Sequence, residues 1–192
     1  LGYAIGNALE VKEAIDTLRG NGPEDLKELC LTLGAQMLML AEVVESPEEG
    51  RKRLEEAIES GKALEKLKDM VKAQDGNPEC IDKPELLPQA KQVVELKAEK
   101  TGYISKITAV DAGISAMLLG AGRETKESEI DLAVGVVLNK KVGDKVKDGE
   151  VLARLHVNDD KNLDDAISLL KESFTIKQEK IEDRTLIYEV VN

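Results

Sequence analysis

Tryptophan is absent from the 192 residues, phenylalanine occurs once, as Phe174, and aromatic residues make up 2% of the chain. A stacking platform for a planar ring therefore has to come from outside this sequence. Cysteine is nearly as scarce: Cys30 and Cys80 stand far apart and no CxxC occurs, which removes the closely spaced thiolates of a zinc site. Cys30 falls within an apolar helical pattern, where a thiol behaves as a small hydrophobe. No apolar run approaches the roughly 20 residues of a membrane-spanning helix, so no membrane partner is expected. Basic residues are outnumbered, with 27 Lys and Arg against 38 Asp and Glu and a formal net charge of -11. Phosphate backbones are held mainly by clustered Lys and Arg, so nucleic acid is not expected as a partner either. Leu1 rather than Met stands first, and no basic n-region, apolar h-region or cleavage site follows, so the natural start is expected to lie upstream.

What is present reads as a soluble globular chain, 34% charged and 42% hydrophobic, long enough for two small domains. Ala8, Val11, Ala14, Ile15 and Leu18 recur at helical spacing and predict a helix over 8–19, ended by Gly20, Gly22 and Pro23. Asn7 is its expected N-cap, with Glu10 placed to reach back to the capping residue's N–H. Pro23, Glu24 and Asp25 open the next helix, as a proline and acids suit a helix start. Its apolar residues from Leu26 through Val44 nearly encircle it, which predicts cover on most sides, with Met37 and Met39 filling core gaps. Ser46, Pro47, Glu48 and Glu49 carry the same start signals for a third helix; Gly61 marks a bend, and the helical pattern resumes until Gly76, Asn77 and Pro78.

Between Pro84 and Pro88 the pattern breaks, and the stretch from Cys80 to Pro88 reads as a linker. Beyond it, strands are expected around Val93–Ile107, then a small-residue helix around Asp111–Gly122, strands at Ala133–Leu138 and Val151–Val157, a helix at Leu163–Glu172, and closing strands at Phe174–Gln178 and Leu186–Val191. The chain is thus α+β overall, divided at 1–88 and 89–192.

Several blocks carry a family resemblance: LGYAIGNALEVKEAIDTLRG, PEDLKELCLTLG, SGKALEKLKDMVKAQDGNP and AGRETKESEIDLAVGVVLNKKVGDKVKDGEVLARLHVND. In this order they resemble the C-terminal part of the pyrimidine-nucleoside and thymidine phosphorylase family. The resemblance implies that 1–88 is the helical end of an α/β catalytic domain and that 89–192 is a barrel-sandwich hybrid of α/β-hammerhead type. It also implies a cytoplasmic homodimer and a pentosyltransferase that splits a pyrimidine nucleoside with phosphate, giving the free base and a pentose 1-phosphate with inversion. Such chemistry needs an anion cradle, donors for charge developing on the departing base, and room for phosphate opposite that base. The family places the Lys-His-Ser phosphate loop and the Arg, Ser and Lys set that holds the base upstream, so no catalytic residue is assigned here and the fragment alone is expected to be inactive. Its potassium ion carries over as the backbone carbonyls of Leu1 and Ala4 and the side chain of Glu13. A weakly charged cation suits carbonyls and one carboxylate. Glu10 is the rival ligand, disfavoured because it is placed to cap its helix.

Other readings compete. Gly143 to Lys161, GDKVKDGEVLARLHVNDDK, resembles the hairpin of lipoyl and biotinyl carrier domains, with Lys161 as the modified residue and Gly143 and Gly149 at positive-φ turns. The helix predicted after Lys161 argues against a hairpin tip. GYAIG at Gly2–Gly6 lacks the Gly-rich run and Lys of a phosphate loop and reads as a turn. His156, the only histidine, alternates with Leu155 and Val157 in a strand, with no fixed carboxylate or serine beside it. Glu55, Glu56 and Glu59, and Asp159, Asp160, Asp164 and Asp165, lack the pattern of a calcium loop and read as solvated faces. A non-catalytic helical interaction module is a further class; it predicts an exposed apolar patch.

Overall fold

The computed structural model describes residues 2–123, 125–182 and 185–191. They form an α+β chain of two compact units. Among the described residues, one unit holds Gly2, 12–86 and 185–191, and the other holds Tyr3–Val11 and 87–182. The expected division at 88/89 and this one differ by Leu87 and Pro88, which group with the second unit, and in two further segments. Residues 3–11 group with the second half because of a strand pairing given below, and 185–191 group with the first.

The first unit is helical. Helix α1 (Asn7–Leu18) contributes its later turns, with Ile15 and Thr17 buried. Helix α2 (Glu24–Leu40) starts after Pro23, and the carboxylate of Asp25 accepts the N–H of Leu26 at 2.9 Å. Helix α3 (Pro47–Glu59) is capped by Ser46, whose hydroxyl accepts the Glu49 N–H at 3.2 Å, while Glu49 accepts the N–H of Glu45 at 3.2 Å. Close approach of α2 and α3 depends on small residues: a Cβ on Gly50 would stand 3.0 Å from the Ala35 Cα. Gly61, at φ +75°, makes the expected bend into α4 (Lys62–Ala73).

The expected linker is structured. Helix α5 (Glu79–Asp82) and a single 3-10 turn (Pro84–Leu86) occupy it, and Ile81 is fully buried. The Arg19 guanidinium donates to the carbonyls of Ile81 (2.6 Å) and Asp82 (3.1 Å), satisfying groups that a short helix leaves open. Cover of α2 is also less than its sequence suggests. Leu31 and Ala35 are buried, but Cys30, Leu33, Met37 and Leu40 are exposed, so Met37 fills no core gap. The helix also ends at Leu40, short of Val44, and Glu42 turns the chain at φ 56°.

The second unit has two antiparallel sheets. One, in the order β1-β4-β6-β2, is built from β1 (Ala4–Ile5), β2 (Gln92–Lys97), β4 (Gly135–Leu138) and β6 (Val151–Val157). The other, in the order β5-β3-β7, comprises β3 (Gly102–Ile107), β5 (Lys145–Val146) and β7 (Phe174–Lys177). Pairing of Ala4 with Val137 and Ile5 with Val136 brings the opening segment into this unit. Helices α6 (Ala109–Leu118) and α7 (Leu163–Ser173) complete it. Ala112 and Ala116 of α6, Ala166 and Leu170 of α7, and Ile104, Val136, Val146 and Leu155 of the sheets share one core. Within it the Ser115 hydroxyl donates to the Ala166 carbonyl at 2.8 Å. Residues 186–191 form no strand, in contrast to expectation, and Tyr188 and Val191 are exposed.

Candidate functional site

The opening turn is where sequence reading placed ligand chemistry. Gly6, at φ +138°, and not Asn7, is the residue whose carbonyl accepts the first helical bond, from the Glu10 N–H at 2.8 Å. Glu10 reaches back so that its carboxylate accepts the Gly6 N–H at 2.9 Å. The expected reach of Glu10 to the capping residue's N–H therefore exists one residue earlier than predicted, and it is one-sided, since Gly6 has no side chain to return a bond. Asn7 instead ties the start of α1 to a distant segment, its side-chain amide donating to the Ala121 carbonyl at 3.0 Å, just past the end of α6.

Glu13 lies one turn beyond Glu10 on α1. Its carboxylate is packed against the backbone of Gly2, which takes the left-handed φ of +66°; a Cβ there would overlap Glu13 Oε2. The Glu13 carbonyl accepts the Thr17 hydroxyl at 2.8 Å. Ala4 stands in β1, opposite Val137. Leu1 lies outside the described residues. The donor types named for the ion, backbone carbonyls and one carboxylate rather than a cluster of acids, suit a weakly charged cation. Among the described residues no group of three or more His, Cys, Asp or Glu is placed to hold a metal ion.

The other candidates fall elsewhere. Lys161 stands in the turn between β6 and α7, its N–H donated to the Asp159 carboxylate at 2.9 Å, and not at a hairpin tip flanked by two strands. Gly143 (φ +101°) and Gly149 (φ +79°) do make the positive-φ turns expected of them. Around Gly149 the turn is closed by the Glu150 carboxylate, which accepts the Lys147 N–H at 2.9 Å and meets Lys140 Nζ at 2.6 Å. The Lys140 ammonium is the leading cause that holds the Glu150 carboxyl below the ordinary carboxylate range. His156 lies one residue from the end of β6, opposite Val93 of β2 and Gly135 of β4. Of the acidic runs, Glu55 pairs with Arg51 at 2.9 Å, and Asp160 accepts from the Gln92 side chain. The row Cys30, Leu33, Met37 and Leu40 on α2 is exposed; periodicity marks these residues as apolar but does not tell covered from open. Among the described residues no helix is long and apolar enough to cross a membrane.

Comparison with known proteins follows the same two parts. Residues 1–64 match the model of the glycosyl transferase family, a/b domain, and residues 103–177 match that of the pyrimidine nucleoside phosphorylase C-terminal domain. Proteins named pyrimidine-nucleoside phosphorylase from Staphylococcus aureus, strains bovine RF122 / ET3-1 and USA300, are each 53% identical over 191 residues. The alignment covers 100% of this chain and 44% of each relative, so the chain spans less than half the length of the curated relatives it matches. The matched stretch is their C-terminal part.

Proposed function

We propose, on the basis that this chain belongs to the pyrimidine-nucleoside phosphorylase family and matches the C-terminal part of its members, that the whole protein is a pentosyltransferase acting on pyrimidine nucleosides and phosphate. The observation that carries this reading is 53% identity across the entire chain, with two family models in the family's order. In the reaction a phosphate oxygen bonds to the anomeric carbon on the face opposite the base. The glycosidic C–N bond breaks, its electron pair leaves with the base, and the products are the free base and an inverted (deoxy)ribose 1-phosphate. Positioning and charge stabilisation supply the rate, and the groups that provide them lie in the upstream part. Uridine and thymidine are the substrates to test.

In this reading the helices of the first unit close the α/β catalytic domain, and the second unit is a barrel-sandwich hybrid of α/β-hammerhead type. The whole protein is a cytoplasmic homodimer. Potassium is its ion, held by the backbone carbonyls of Leu1 and Ala4 and the Glu13 carboxylate together with upstream oxygens. Support for Glu13 is that its carboxylate lies against the backbone of Gly2, next to Leu1, while the Glu10 carboxylate sits at the helix start and accepts the Gly6 N–H.

The test joins the part of the Staphylococcus aureus relative that precedes the matched stretch to this chain and assays base release from uridine and thymidine with inorganic phosphate. The chimera is expected to be active and the 192-residue chain alone inactive. A folded chimera without activity, or base release by the chain alone, would overturn the reading.

A further inference from the structure

The turn that leaves α1 carries a dipeptide open to chemistry. Gly20 gives its N–H to the Thr17 carbonyl at 3.0 Å and Asn21 gives its own to the Asp16 carbonyl at 2.9 Å, which closes the helix with Gly20 at φ +85°. The backbone N–H of Asn21 is thereby used. Its side chain is exposed and makes no hydrogen bond among the described residues. Gly22 follows, and its N–H likewise donates to no group among the described residues. A Cβ on Gly22 would stand 2.5 Å from the Thr17 Cα, so the turn admits no larger residue there. An unheld carboxamide is thus followed by an unheld amide nitrogen that carries no side chain to shield it.

Elsewhere the same reaction is blocked. Asn7 donates its amide to the Ala121 carbonyl, and the Ala8 N–H goes to Leu132 at 3.0 Å. Asn77 precedes Pro78, which has no N–H. Asn158 accepts the Lys91 N–H and donates to Asp131, so its carboxamide is held at both ends. Asn162 donates to the Leu118 carbonyl, and the Leu163 N–H goes to Asp160. The Asn139 Oδ1 is buried, and Lys140 after it brings a side chain beside the nitrogen. Two Asp-Gly pairs are closed as well: the Gly76 N–H donates to Val71 at 2.9 Å and the Gly149 N–H to Ala98 at 2.8 Å.

We infer that Asn21 is a modification site, at which the protein converts itself to isoaspartate and aspartate through a succinimide. The Gly22 nitrogen loses its proton to hydroxide and bonds to the Asn21 Cγ; the Cγ–NH2 bond breaks, and the nitrogen leaves as ammonia with a proton from water. Water then opens the ring. Cleavage between Cγ and nitrogen leaves aspartate, and cleavage at the main-chain carbonyl leaves isoaspartate, with the chain running through Cγ. One water is consumed and one ammonia released, with nothing oxidised or reduced. The product adds a negative charge at the C-terminal end of α1, where a helix disfavours anions. Isoaspartate also lengthens the main chain by a methylene where Gly22 lies on Thr17. Its free carboxylate is the substrate class of an isoaspartyl carboxyl methyltransferase that uses S-adenosylmethionine. The inference is independent of the family reading.

The test ages the 192-residue chain in mildly alkaline buffer and follows each asparagine by peptide mass spectrometry, and isoaspartate by transfer of labelled methyl from S-adenosylmethionine. Asn21 is expected to convert at least about tenfold faster than any other described asparagine, since those react only through local opening. Its rate should rise with hydroxide concentration, and Asp75 and Asp148 should stay unaltered. An intact Asn21, another asparagine converting as fast, or isoaspartate at Asp75 or Asp148 at the same pace would overturn the inference. Asn21→Gln, whose longer side chain closes a ring far more slowly, is expected to start at the parent's melting temperature and keep it on ageing while the parent's falls. Equal methyl acceptance by the aged variant would also overturn the inference. Where the chain alone shows no cooperative thermal transition, the chimera described above is aged in its place and read in the same way.

Discussion

Gly6 and Gly135 meet backbone to backbone: a Cβ built on either would stand 3.0 Å from the other's Cα. Both take positive φ, +138° and +151°, and a Cβ on Gly6 would also come within 2.5 Å of the Val134 carbonyl oxygen. The pair lets β1 lie against β4 while the chain turns at once into α1. Neither residue has room to accept a methyl group, since what each would strike is backbone rather than the end of a flexible side chain.

Gly6→Ala and Gly135→Ala are accordingly expected to destabilise the second unit, each by about 2 kcal/mol or more, through strained backbone and overlap. Gly143→Ala is the internal control: its φ is +101° but nothing lies within 4 Å of its Cβ, so strain acts there without overlap. Urea unfolding should rank Gly143→Ala as the mildest of the three. A ranking in which it equals the other two would show that close approach at Gly6 and Gly135 contributes nothing.

In the first unit the Arg51 guanidinium joins α2 to α3 through Glu28, with bonds of 2.9 and 2.7 Å to the two carboxylate oxygens. The Arg51 hydrogen bonds are the first cause that holds the Glu28 carboxyl below its ordinary value, with Arg51 itself raised in return. The folded value is the lower one, so the pair stabilises the fold fully above the unfolded carboxyl's 4.5 and loses that contribution as pH falls through the lowered value. Both side chains are more than a third exposed, at 38% and 44%, and water screens the pair to about 0.5–1 kcal/mol. Glu28→Gln should therefore cost about that much at pH 7 and almost nothing near pH 3. A stability gap of the same size at both pH values would remove the ionic account.

How far these features were legible depends on how local their causes are. The start of α3 could be read because Ser46, Pro47 and Glu49 act on neighbouring N–H groups. Glu10 could be read as a cap for the same reason, although the capped residue is Gly6, because the Gly6–Gly135 contact spans more than a hundred residues and leaves no local trace. Strands β1 and β5, at two residues each, are too short to show a period. The apolar, β-branched character of 186–191 is real, but a strand needs a partner, and among the described residues that segment pairs with none. Apolar periodicity in α2 named the right residues and missed that only one face receives α3. The proposed chemistry could be read only through the family resemblance, not from any catalytic residue assigned in this chain.

Potassium gives the sharpest test of the opening turn, because two carboxylates one turn apart on α1 are predicted to behave differently. Glu10 accepts the Gly6 N–H, so Glu10→Gln removes a charged cap and should lower stability by about 1 kcal/mol whichever salt is present. Glu13 instead faces the backbone of Gly2, in the turn that follows Leu1. An ion bound only by the folded state raises stability by RT ln(1 + [L]/Kd), about 2.7 kcal/mol at 100 times Kd. In the active chimera, melting temperature and phosphorolysis rate are titrated with potassium chloride against sodium chloride. The parent sequence should gain from potassium, Glu10→Gln should start lower and gain equally, and Glu13→Gln should lose most of the gain. Replacing Glu13 by Asp, which keeps the charge but withdraws it by one methylene, should weaken the response without abolishing it. An undiminished potassium response in Glu13→Gln, with a lost response in Glu10→Gln, would assign the ion to the other carboxylate.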